Sequence, residues 1–336
     1  MTQTSMSTET GPSGSVGLVE RALDRETDLP ALVDLITEVN ALDGIPWFPT
    51  VAQLEVDWAP APGFDPPRDV LLVEEAGRLV GAVQVQWRER DGKVVHVIEP
   101  WVRPAARRRG IGRRLVAWSE ARAREAVEAG AGGSPDLPHV LSGGTATSIA
   151  PAMAFADALG YARTRYGFIM RRDLDEPIAD APMPEGLETR PVTPDQHRRI
   201  WEADVEAFKD HHEAAVRHEE DFVQFFANPD LDTTMWQVAW DGDEVAGSIV
   251  NTIYPVENEH VGLDVGWLDH VSVRRPWRGR GVASALISRS LRVLRDRGMS
   301  VASLGVDAEN PTGALGLYER HGFTVHQTFV TLRKPL

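Results

Sequence analysis

A basic, glycine-containing turn between a predicted strand and a predicted helix constrains this chain more than any other feature. Val271 and Val273 are β-branched and two residues apart, so they share one face of a strand. The turn RRPWRGRGVA follows at residues 274–283, and apolar residues then recur at helical spacing from Leu286 to Leu294. A glycine-bearing turn that opens a helix presents unpaired backbone N–H groups and the positive end of the helix dipole, and both favour phosphate. The chain is therefore predicted to bind a phosphate-bearing ligand at this turn.

The same strand, turn and helix occur a second time, earlier in the chain. Gly110 superposes on Gly281, and each glycine is followed by a predicted helix. The two copies also close alike, because residues 160–172 match residues 322–334 in sequence pattern. An internal repeat of this length indicates two homologous domains rather than a solenoid.

The repeat sets the predicted domain boundaries. We expect domains at residues 17–172 and 187–336, after a tail at residues 1–16 whose polar composition predicts disorder. Between them, residues 173–186 read DLDEPIADAPMPEG, an acidic and proline-rich linker that is not expected to form a helix.

Amphipathic and alternating patterns predict the other elements. In the first copy the pattern predicts a helix over residues 28–39 and antiparallel strands over 69–74 and 79–87. In the second copy the predicted elements are a strand at 187–192, a helix from 194 to about 208, a hairpin of 235–240 with 244–254, and a strand at 301–306.

Composition excludes several classes of function. The 336 residues include 50 acidic and 35 basic side chains, for a net charge of −15, which argues against general binding to nucleic acid or to an anionic membrane. There are no cysteines, so disulfides, cysteine-ligated zinc and an acyl-cysteine intermediate are excluded. No apolar run approaches the roughly 20 residues of a membrane helix, and the N-terminus lacks the pattern of a signal peptide. We therefore expect a cytoplasmic protein.

The sequence motifs narrow the class further. Neither the P-loop pattern nor the dinucleotide fingerprint is present, since Gly279-x-Gly281 leads to Ser284. The second turn reads R-x-x-G-x-A and the first reads R-x-x-G-x-G, and both resemble motif A, the pyrophosphate-binding motif of the GNAT acyl-CoA N-acetyltransferases. Residues 310–323, NPTGALGLYERHGF, resemble the segment that GNAT proteins carry after their fifth strand. These motifs occur in the family's order, and the chain is therefore identified as a tandem GNAT protein.

The resemblance implies an α/β (α+β) fold of two tandem GNAT domains, each a mixed, mostly antiparallel sheet flanked by helices. The copies differ where the family places side chains near the thioester: the second has Asn310 and Tyr318, and the first has Ser148 and Ala156. Two interpretations of the first domain remain open, a degenerate domain that still binds CoA and a purely structural partner. Either way it is predicted to be non-catalytic.

The resemblance also implies the site residues. Tyr318 would be the general acid toward sulfur and Asp269 the general base, with Asp264 and His270 as alternatives, and Asn310 would cap the helix that carries Tyr318. Asp269 is expected on the same strand face as Val271 and Val273. The predicted cofactor-binding residues are Val271, Val273, Arg278, Gly279, Arg280, Gly281, Val282, Ala283, Ser284 and Asn310 in the second copy, and Val102, Arg107, Arg108, Arg109, Gly110, Ile111 and Gly112 in the first.

No metal site is predicted. The run Asp210-His211-His212-Glu213 does not have the spacing of a zinc site, so a solvated loop is the favoured interpretation.

The predicted function is acetyl-CoA-dependent N-acetylation of a small amine by direct attack in a ternary complex, in a monomer or homodimer, with chemistry in the second domain. The degraded first copy and intact second copy are similar to the tandem GNAT group of the mycothiol synthases. That group is expected to have carboxylates near the positions of Thr50 and Trp267, where this chain has none. Two alternatives therefore remain: mycothiol synthase-type acetylation of a cysteinyl amine, and a non-catalytic acyl-CoA-binding or sensor protein.

Overall fold

The computed structural model describes residues 17–310 and 313–336. In these residues twelve strands form one sheet. The strands are β1 (Val19–Ala22), β2 (Val70–Glu75), β3 (Arg78–Arg90), β4 (Lys93–Val102), β5 (His139–Ala146), β6 (Ala162–Asp173), β7 (Glu188–Thr189), β8 (Gln237–Asp241), β9 (Glu244–Ile253), β10 (Val265–Val273), β11 (Val301–Asp307) and β12 (Thr324–Pro335). The α-helices are α1 (Leu29–Asp43), α2 (Val51–Asp57), α3 (Pro66–Asp69), α4 (Ile111–Glu128), α5 (Ala150–Ala158), α6 (His197–Phe208), α7 (Glu219–Phe226), α8 (Pro255–Val261), α9 (Val282–Asp296) and α10 (Ala314–Arg320).

The two sequence copies exchange their last strands. The sheet order is β1-β2-β3-β4-β5-β12-β6-β11-β10-β9-β8-β7, so β12 pairs with β5 of the first copy and β6 pairs with β11 of the second. The exchange reaches the cores as well. Val330 and Leu332 of β12 are buried in the first-copy core, and Met170 of β6 is buried in the second-copy core. Each half of the molecule is therefore completed by the other half's sequence.

The helices after the two turns anchor those turns to the sheet. Leu115 of α4 and Leu286 of α9 are fully buried, at matching positions of the repeat. Burying one such side chain contributes about 1.5–3 kcal/mol, so each helix is held firmly over its half of the sheet. Each turn consequently has a fixed position beyond the end of β4 or β10.

Parallel strands separate from one another in both halves. β10 pairs with β11 only over residues 265–267 and 301–303, and the strands no longer pair beyond these residues. β4 and β5 likewise pair only over residues 94–97 and 139–142. Each half therefore has a gap in its sheet that opens toward the glycine turn.

A β-bulge distinguishes the two gaps. β10 shifts register against β9 between Leu268 and His270, which makes Asp269 an extra residue in the strand. β4 pairs with β3 without a break along its whole length. The strand that borders the gap is thus irregular in the second half and regular in the first.

Most predicted elements are confirmed, with two corrections. The strand predicted at residues 187–192 is limited to Glu188–Thr189, which pair with β8. The helix predicted at 28–39 is α1, the predicted hairpin is β8 with β9, and residues 174–186 contain no helix or strand. The prediction that Asn310 caps the Tyr318 helix is wrong, because α10 begins at Ala314 after Gly313, whose φ is +74°. The Asn310 carbonyl instead accepts the Gly313 N–H at 3.5 Å. None of the helices in the described parts of the chain has the length and apolar character that a membrane crossing requires.

Candidate active site

The glycine turn of the second half presents a row of open N–H groups. Gly281 has φ of +90° and precedes α9, whose first backbone bond runs from the Ala285 N–H to the Gly281 carbonyl at 3.0 Å. The N–H groups of residues 279–284 donate to no acceptor in the described residues. A Cβ built on Gly281 would meet no atom within 4 Å, so the space in front of the turn is free. This geometry fits a phosphate group at a helix N-terminus.

The first-half turn has the same backbone geometry. Gly110 has φ of +85°, and the Arg114 N–H donates to the Gly110 carbonyl at 3.1 Å. Arg108 adopts φ of +64°, where the second half has Gly279 at +73°. Ile111 is buried, and a Cβ on Gly112 would lie 3.4 Å from Phe155 of α5. The backbone geometry of both turns is therefore suited to binding a phosphate group.

The first arginine of each motif braces its turn. Arg278 donates from Nε to the Val273 carbonyl at 2.9 Å and from a terminal nitrogen to Asp210 at 2.6 Å. Arg107 donates to the Val102 carbonyl at 3.2 Å and to both oxygens of Asp43, at 2.9 and 2.7 Å. Each arginine thus ties the strand end to the end of α6 or α1, and its charge is already matched by a carboxylate.

The other arginines of the two turns differ in whether they form an ion pair with a carboxylate. Arg109 pairs with Glu75 at 2.6 Å, and Arg275 pairs with Asp210, whose pKa is held below its usual range by Arg275 and Arg278. Arg108 and Arg280 are exposed and form no ion pair within the described residues. They are consequently the turn arginines that are free to meet a ligand phosphate.

Tyr318 lies beside the second-half gap in a protonated state. It is 6% exposed and belongs to the core cluster that includes Val306 of β11 and Val282 of α9. Burial raises the pKa of Tyr318 to about 12, and its hydroxyl forms no hydrogen bond with the described residues. The phenol is therefore available as a proton donor at neutral pH. At the corresponding place in the first half, Ala156 has no hydroxyl.

The bulge turns Asp269 away from the face that the alternation predicts. Val271 and Val273 pack against the α9 core, whereas the Asp269 carboxylate accepts a hydrogen bond from the Tyr254 hydroxyl at 2.9 Å and lines a cavity. The expectation that Asp269 shares their face is wrong, because an extra residue in the strand reverses the alternation. Asp269 is open to the cavity but closely surrounded by protein, and this desolvation raises its pKa.

The two alternative bases lie elsewhere. His270 contacts Asp204 of α6 at 2.9 Å and packs beside Phe225; although burial opposes it, the Asp204 carboxylate raises the pKa of His270. Asp264 is exposed before β10, and its backbone carbonyl accepts the N–H groups of residues 300 and 301. Among the three candidates, Asp269 is the one that lines the cavity.

The cavity beside Asp269 has a volume of about 240 Å³ and is built from both halves. Three more carboxylates line it, none of which the sequence had suggested: Asp57 at the end of α2, Asp230 after α7, and Glu257 in α8. Burial and the charge of Glu99 raise the pKa of Asp57 to about 6. Burial raises the pKa of Glu257 to about 7, with a further contribution from Asp269. No cation pairs with any of the four within the described residues.

A larger groove of different chemistry is lined by residues of both halves. It has a volume of about 780 Å³ and extends from β4 and β5 across β12 and β6 to β11. Its acids are neutralised: Glu213 pairs with Lys93 at 3.1 Å and with Arg333, and Asp307 pairs with Arg165 at 2.6 Å. The groove therefore has no carboxylate free to act as a base.

Other predicted residues lie at the strand ends and in the first turn of α9. Val102, Val271 and Val273 are half-buried at the strand ends, and the Ser284 hydroxyl is 2.6 Å from His321 Nε2. Thr50 and Trp267 have structural contacts: Thr50 caps α2, and Trp267 donates to Glu257 at 2.9 Å. A carboxylate thus reaches the side of Trp267 from α8.

Two gapped half-sheets, each leading into an open glycine turn, define a tandem acyltransferase fold. The sequence matches the acetyltransferase (GNAT) family over residues 33–133 and 197–323. It is 31% identical to the mycothiol acetyltransferase of Geodermatophilus obscurus over 90% of this chain and 93% of that protein. The mycothiol acetyltransferase of Streptomyces scabiei is 28% identical over 96% of each chain.

Solved structures agree in fold. A GCN5-related N-acetyltransferase from Sphaerobacter thermophilus superposes with a TM-score of 0.70 at 27% identity, covering 95% of both chains. A tandem GNAT protein from the clavulanic acid biosynthesis pathway gives a TM-score of 0.65 at 20% identity, covering 95% of this chain and 98% of that one. The chain belongs to the acetyltransferase (GNAT) family, of which it carries two copies, and it is an acyltransferase.

Proposed function

We propose that the protein acetylates a primary amine of a small molecule with acetyl-CoA, and that the chemistry takes place in the second half. One observation supports this most strongly. The bulge in β10 directs Asp269 into the cavity, while buried, protonated Tyr318 lies beside the gap that β10 borders. The first half lacks the bulge and the tyrosine.

The second-half turn and gap provide the place for the cofactor. The open N–H groups of residues 279–284 and the unpaired Arg280 would hold its pyrophosphate. When bound, acetyl-CoA supplies an acyl thioester, whose carbon–sulfur bond is replaced by the carbon–nitrogen bond of the amide product.

The chain's own groups account for the protons. An ammonium acceptor must lose two protons to become an amide. The leaving sulfur must gain one proton, which comes either from the amine or from a group of the protein. Asp269 takes a proton from the amine, and Tyr318 gives one to the leaving sulfur, so that one proton in total is released to solvent. The N–H of the bulged residue lies outside the strand ladder and is available to a developing oxyanion.

A second candidate is mycothiol synthase-type acetylation of a cysteinyl amine. The 31% identity to a mycothiol acetyltransferase over most of the chain favours it. The mycothiol synthase group is expected to have carboxylates near the positions of Thr50 and Trp267. In this chain the cavity has carboxylates at Asp57, Glu257 and Asp269 instead. The two candidates share the transfer step and differ only in the acceptor.

An acceptor screen tests the proposal. The chain would be incubated with acetyl-CoA and a panel of amines that includes a cysteinyl amine, and both CoA thiol and acetylated product would be measured. We expect amine-dependent release of thiol matched one to one by product. Binding of acetyl-CoA with no transfer to any amine would support the non-catalytic alternative.

A further inference from the structure

A serine and a histidine connect the glycine turn of the second half with the helix that carries Tyr318. Ser284 lies in the first turn of α9, just after Gly281, and its hydroxyl oxygen is 2.6 Å from Nε2 of His321. His321 directly follows the end of α10. The contact therefore reaches from α10 to the open N–H groups where we place the pyrophosphate of the cofactor.

His321 is buried, and its imidazole is neutral at neutral pH. The residue is 6% exposed, and burial, with a further contribution from the charges of Arg172 and Arg320, lowers its pKa. A neutral imidazole carries one proton, either on Nδ1 or on Nε2. Nδ1 is buried and has no hydrogen-bond partner in the part of the chain that the structure describes. Nε2 is thus the nitrogen through which His321 contacts another group.

The buried Nδ1 decides which nitrogen carries the proton. A proton there would be a buried N–H without an acceptor, and such donors are rarer in proteins than buried acceptors without a donor. The proton therefore belongs on Nε2, from which His321 donates to the Ser284 oxygen. The Ser284 O–H itself donates to no acceptor among residues 17–310 and 313–336. This hydroxyl is consequently a free hydrogen-bond donor beside the glycine turn.

The pair belongs to the second half alone. Counted from the glycines that superpose in the repeat, Ser284 corresponds to Arg113 and His321 corresponds to Leu159. Leucine has no hydrogen-bonding side chain, so no matching contact forms at the first-half turn. The contact thus occurs in the half to which we assign the chemistry.

We propose that His321 is a positioning residue for the cofactor, because it holds the Ser284 oxygen so that the Ser284 O–H donates to the pyrophosphate of acetyl-CoA. This inference rests on the proposed function. The ionised oxygens of a pyrophosphate accept hydrogen bonds, so a serine beside them must donate. The His321 N–H occupies one lone pair of the hydroxyl and limits the directions in which its proton points. A donor that is oriented in advance loses less entropy when the ligand binds.

Calorimetry with acetyl-CoA tests both residues and needs no acceptor amine. Ser284→Ala removes the donor and should raise Kd about tenfold or more, because a hydrogen bond to a charged group contributes at least that factor. His321→Phe keeps an aromatic ring without the N–H and should raise Kd about threefold or more. His321→Gln returns an N–H to this position and should recover most of the affinity.

An exposed histidine provides the matched control. His326 lies on β12 at the surface, and His326→Phe should bind acetyl-CoA as the wild type does. If His321→Phe does not fold, His321→Asn replaces it, because the amide of asparagine is too short to take the place of Nε2. Wild-type affinity in Ser284→Ala, or a His321→Gln variant that binds no better than His321→Phe, would overturn the inference.

Shortened acyl donors separate this contact from a purely structural role of His321. S-Acetylpantetheine lacks the pyrophosphate, whereas the 3′-dephospho form of acetyl-CoA retains it. His321→Phe should raise KM for acetyl-CoA and for its dephospho form alike, with kcat unchanged, and should leave kcat/KM for S-acetylpantetheine at the wild-type value. Equal losses with all three donors would mean that His321 only supports the packing of α10 around Tyr318. A loss limited to acetyl-CoA would place the contact at the 3′-phosphate, and either result would overturn the inference.

A double variant tests whether His321 acts through Ser284. If it does, Ser284→Ala with His321→Phe should bind acetyl-CoA no more weakly than Ser284→Ala alone, because the serine that the histidine orients is already absent. Losses that multiply in the double variant would show that His321 contributes independently of the serine, which contradicts the proposal.

Gly281→Glu separates failure of the inference from failure of the proposed cofactor site. If Ser284→Ala keeps the wild-type affinity for acetyl-CoA and Gly281→Glu loses it, the inference is wrong and the cofactor still binds at the turn. If both variants keep the wild-type affinity, the proposed cofactor site is wrong as well. A loss of affinity in both variants, with recovery in His321→Gln relative to His321→Phe, is the result that we expect.

Discussion

The Tyr254 hydroxyl donates a hydrogen bond to the Asp269 carboxylate over 2.9 Å. Tyr254 follows the end of β9, and Asp269 is the extra residue of the bulge in β10. The bond therefore fixes a residue that the strand ladder itself does not hold. Burial and the Asp269 charge raise the pKa of Tyr254, which keeps the phenol as the donor. This pair orients the carboxylate that we propose as the base.

Loss of the Tyr254 hydroxyl should change the pH dependence of the reaction. Asp269 acts as a base only when ionised, so activity falls as the pH drops below its pKa. Tyr254 stabilises the ionised form against the burial that raises this pKa. In Tyr254→Phe the pKa should rise further, and the acidic limb of kcat/KM should move to higher pH by about one unit, the lower end of what a hydrogen bond to a charged group contributes. An acidic limb that stayed in place, or moved to lower pH, would exclude Asp269 as the titrating group.

Removal of the Tyr318 hydroxyl should slow the chemical step. Tyr318→Phe keeps the ring and its edge contact with Phe323 but removes the proton donor. A positioned acid contributes about 10²–10⁴-fold, so kcat should fall by about tenfold or more, with acetyl-CoA affinity nearly unchanged. Tyr166→Phe is the matched control, because Tyr166 is 40% exposed and should leave kcat as it is. A wild-type rate for Tyr318→Phe, where chemistry limits turnover, would mean that the thiolate leaves unaided or that another group is the acid.

A glutamate at the second-half turn should abolish cofactor binding. In Gly281→Glu the new side chain adds bulk and negative charge in front of the open N–H groups, and calorimetry should show a large loss of acetyl-CoA affinity. Any side chain at φ of +90° also costs roughly 1–2 kcal/mol of backbone strain. Gly298→Glu controls for this cost, because Gly298 has φ of +85° at the far end of the same helix and lies away from the turn. Equal affinities of the two variants would show that the cofactor binds elsewhere.

The first-half turn should be dispensable for turnover. Gly110→Glu places the same change in the same backbone geometry, but beside a gap that a regular strand borders and where Ala156 stands in place of the tyrosine. We expect its rate to stay within a few fold of wild type. A complete loss of activity in a folded Gly110→Glu variant would mean that the first half takes part in the reaction.

The strand exchange predicts that the C-terminus stabilises the first half. Val330 is 1% exposed in the first-half core, whereas Val325 on the same strand is 48% exposed. Val330→Ala should lower the free energy of unfolding by about 2 kcal/mol, and Val325→Ala should change it by less than about 0.5 kcal/mol. Denaturant titration followed by tryptophan fluorescence and by circular dichroism measures both, and the two probes should give one coincident transition. If the two probes gave separate transitions and Val330→Ala shifted only the transition of the second half, the strand exchange would be contradicted.

Local features could be predicted from the sequence because they depend on neighbouring residues. The turns at Gly110 and Gly281, the helices that follow them and the hairpin of β8 with β9 all follow from short-range patterns. The exchange of β6 and β12 could not be predicted, since their sequences are alike and either could complete either half. The face of Asp269 was predicted incorrectly because alternation gives no sign of a one-residue bulge.

The cavity was beyond sequence reasoning for a different reason. Asp57, Asp230 and Glu257 are far apart in the chain and meet only when the two halves pack. Taken singly, each is an ordinary acid in a polar segment. The acidic excess of the whole chain gave no indication of where unpaired carboxylates would gather.

The most direct measurement is the single-turnover rate of acetyl transfer by Asp269→Asn, compared with Asp264→Asn. Both changes remove an acid at β10, but Asp264 is exposed and outside the cavity. With saturating acetyl-CoA and an acceptor amine, Asp269→Asn should be slower than wild type by about 10²-fold or more, and Asp264→Asn should match wild type. A wild-type rate for Asp269→Asn, or a comparable loss in Asp264→Asn, would contradict the assignment of the chemistry to the bulge and its cavity.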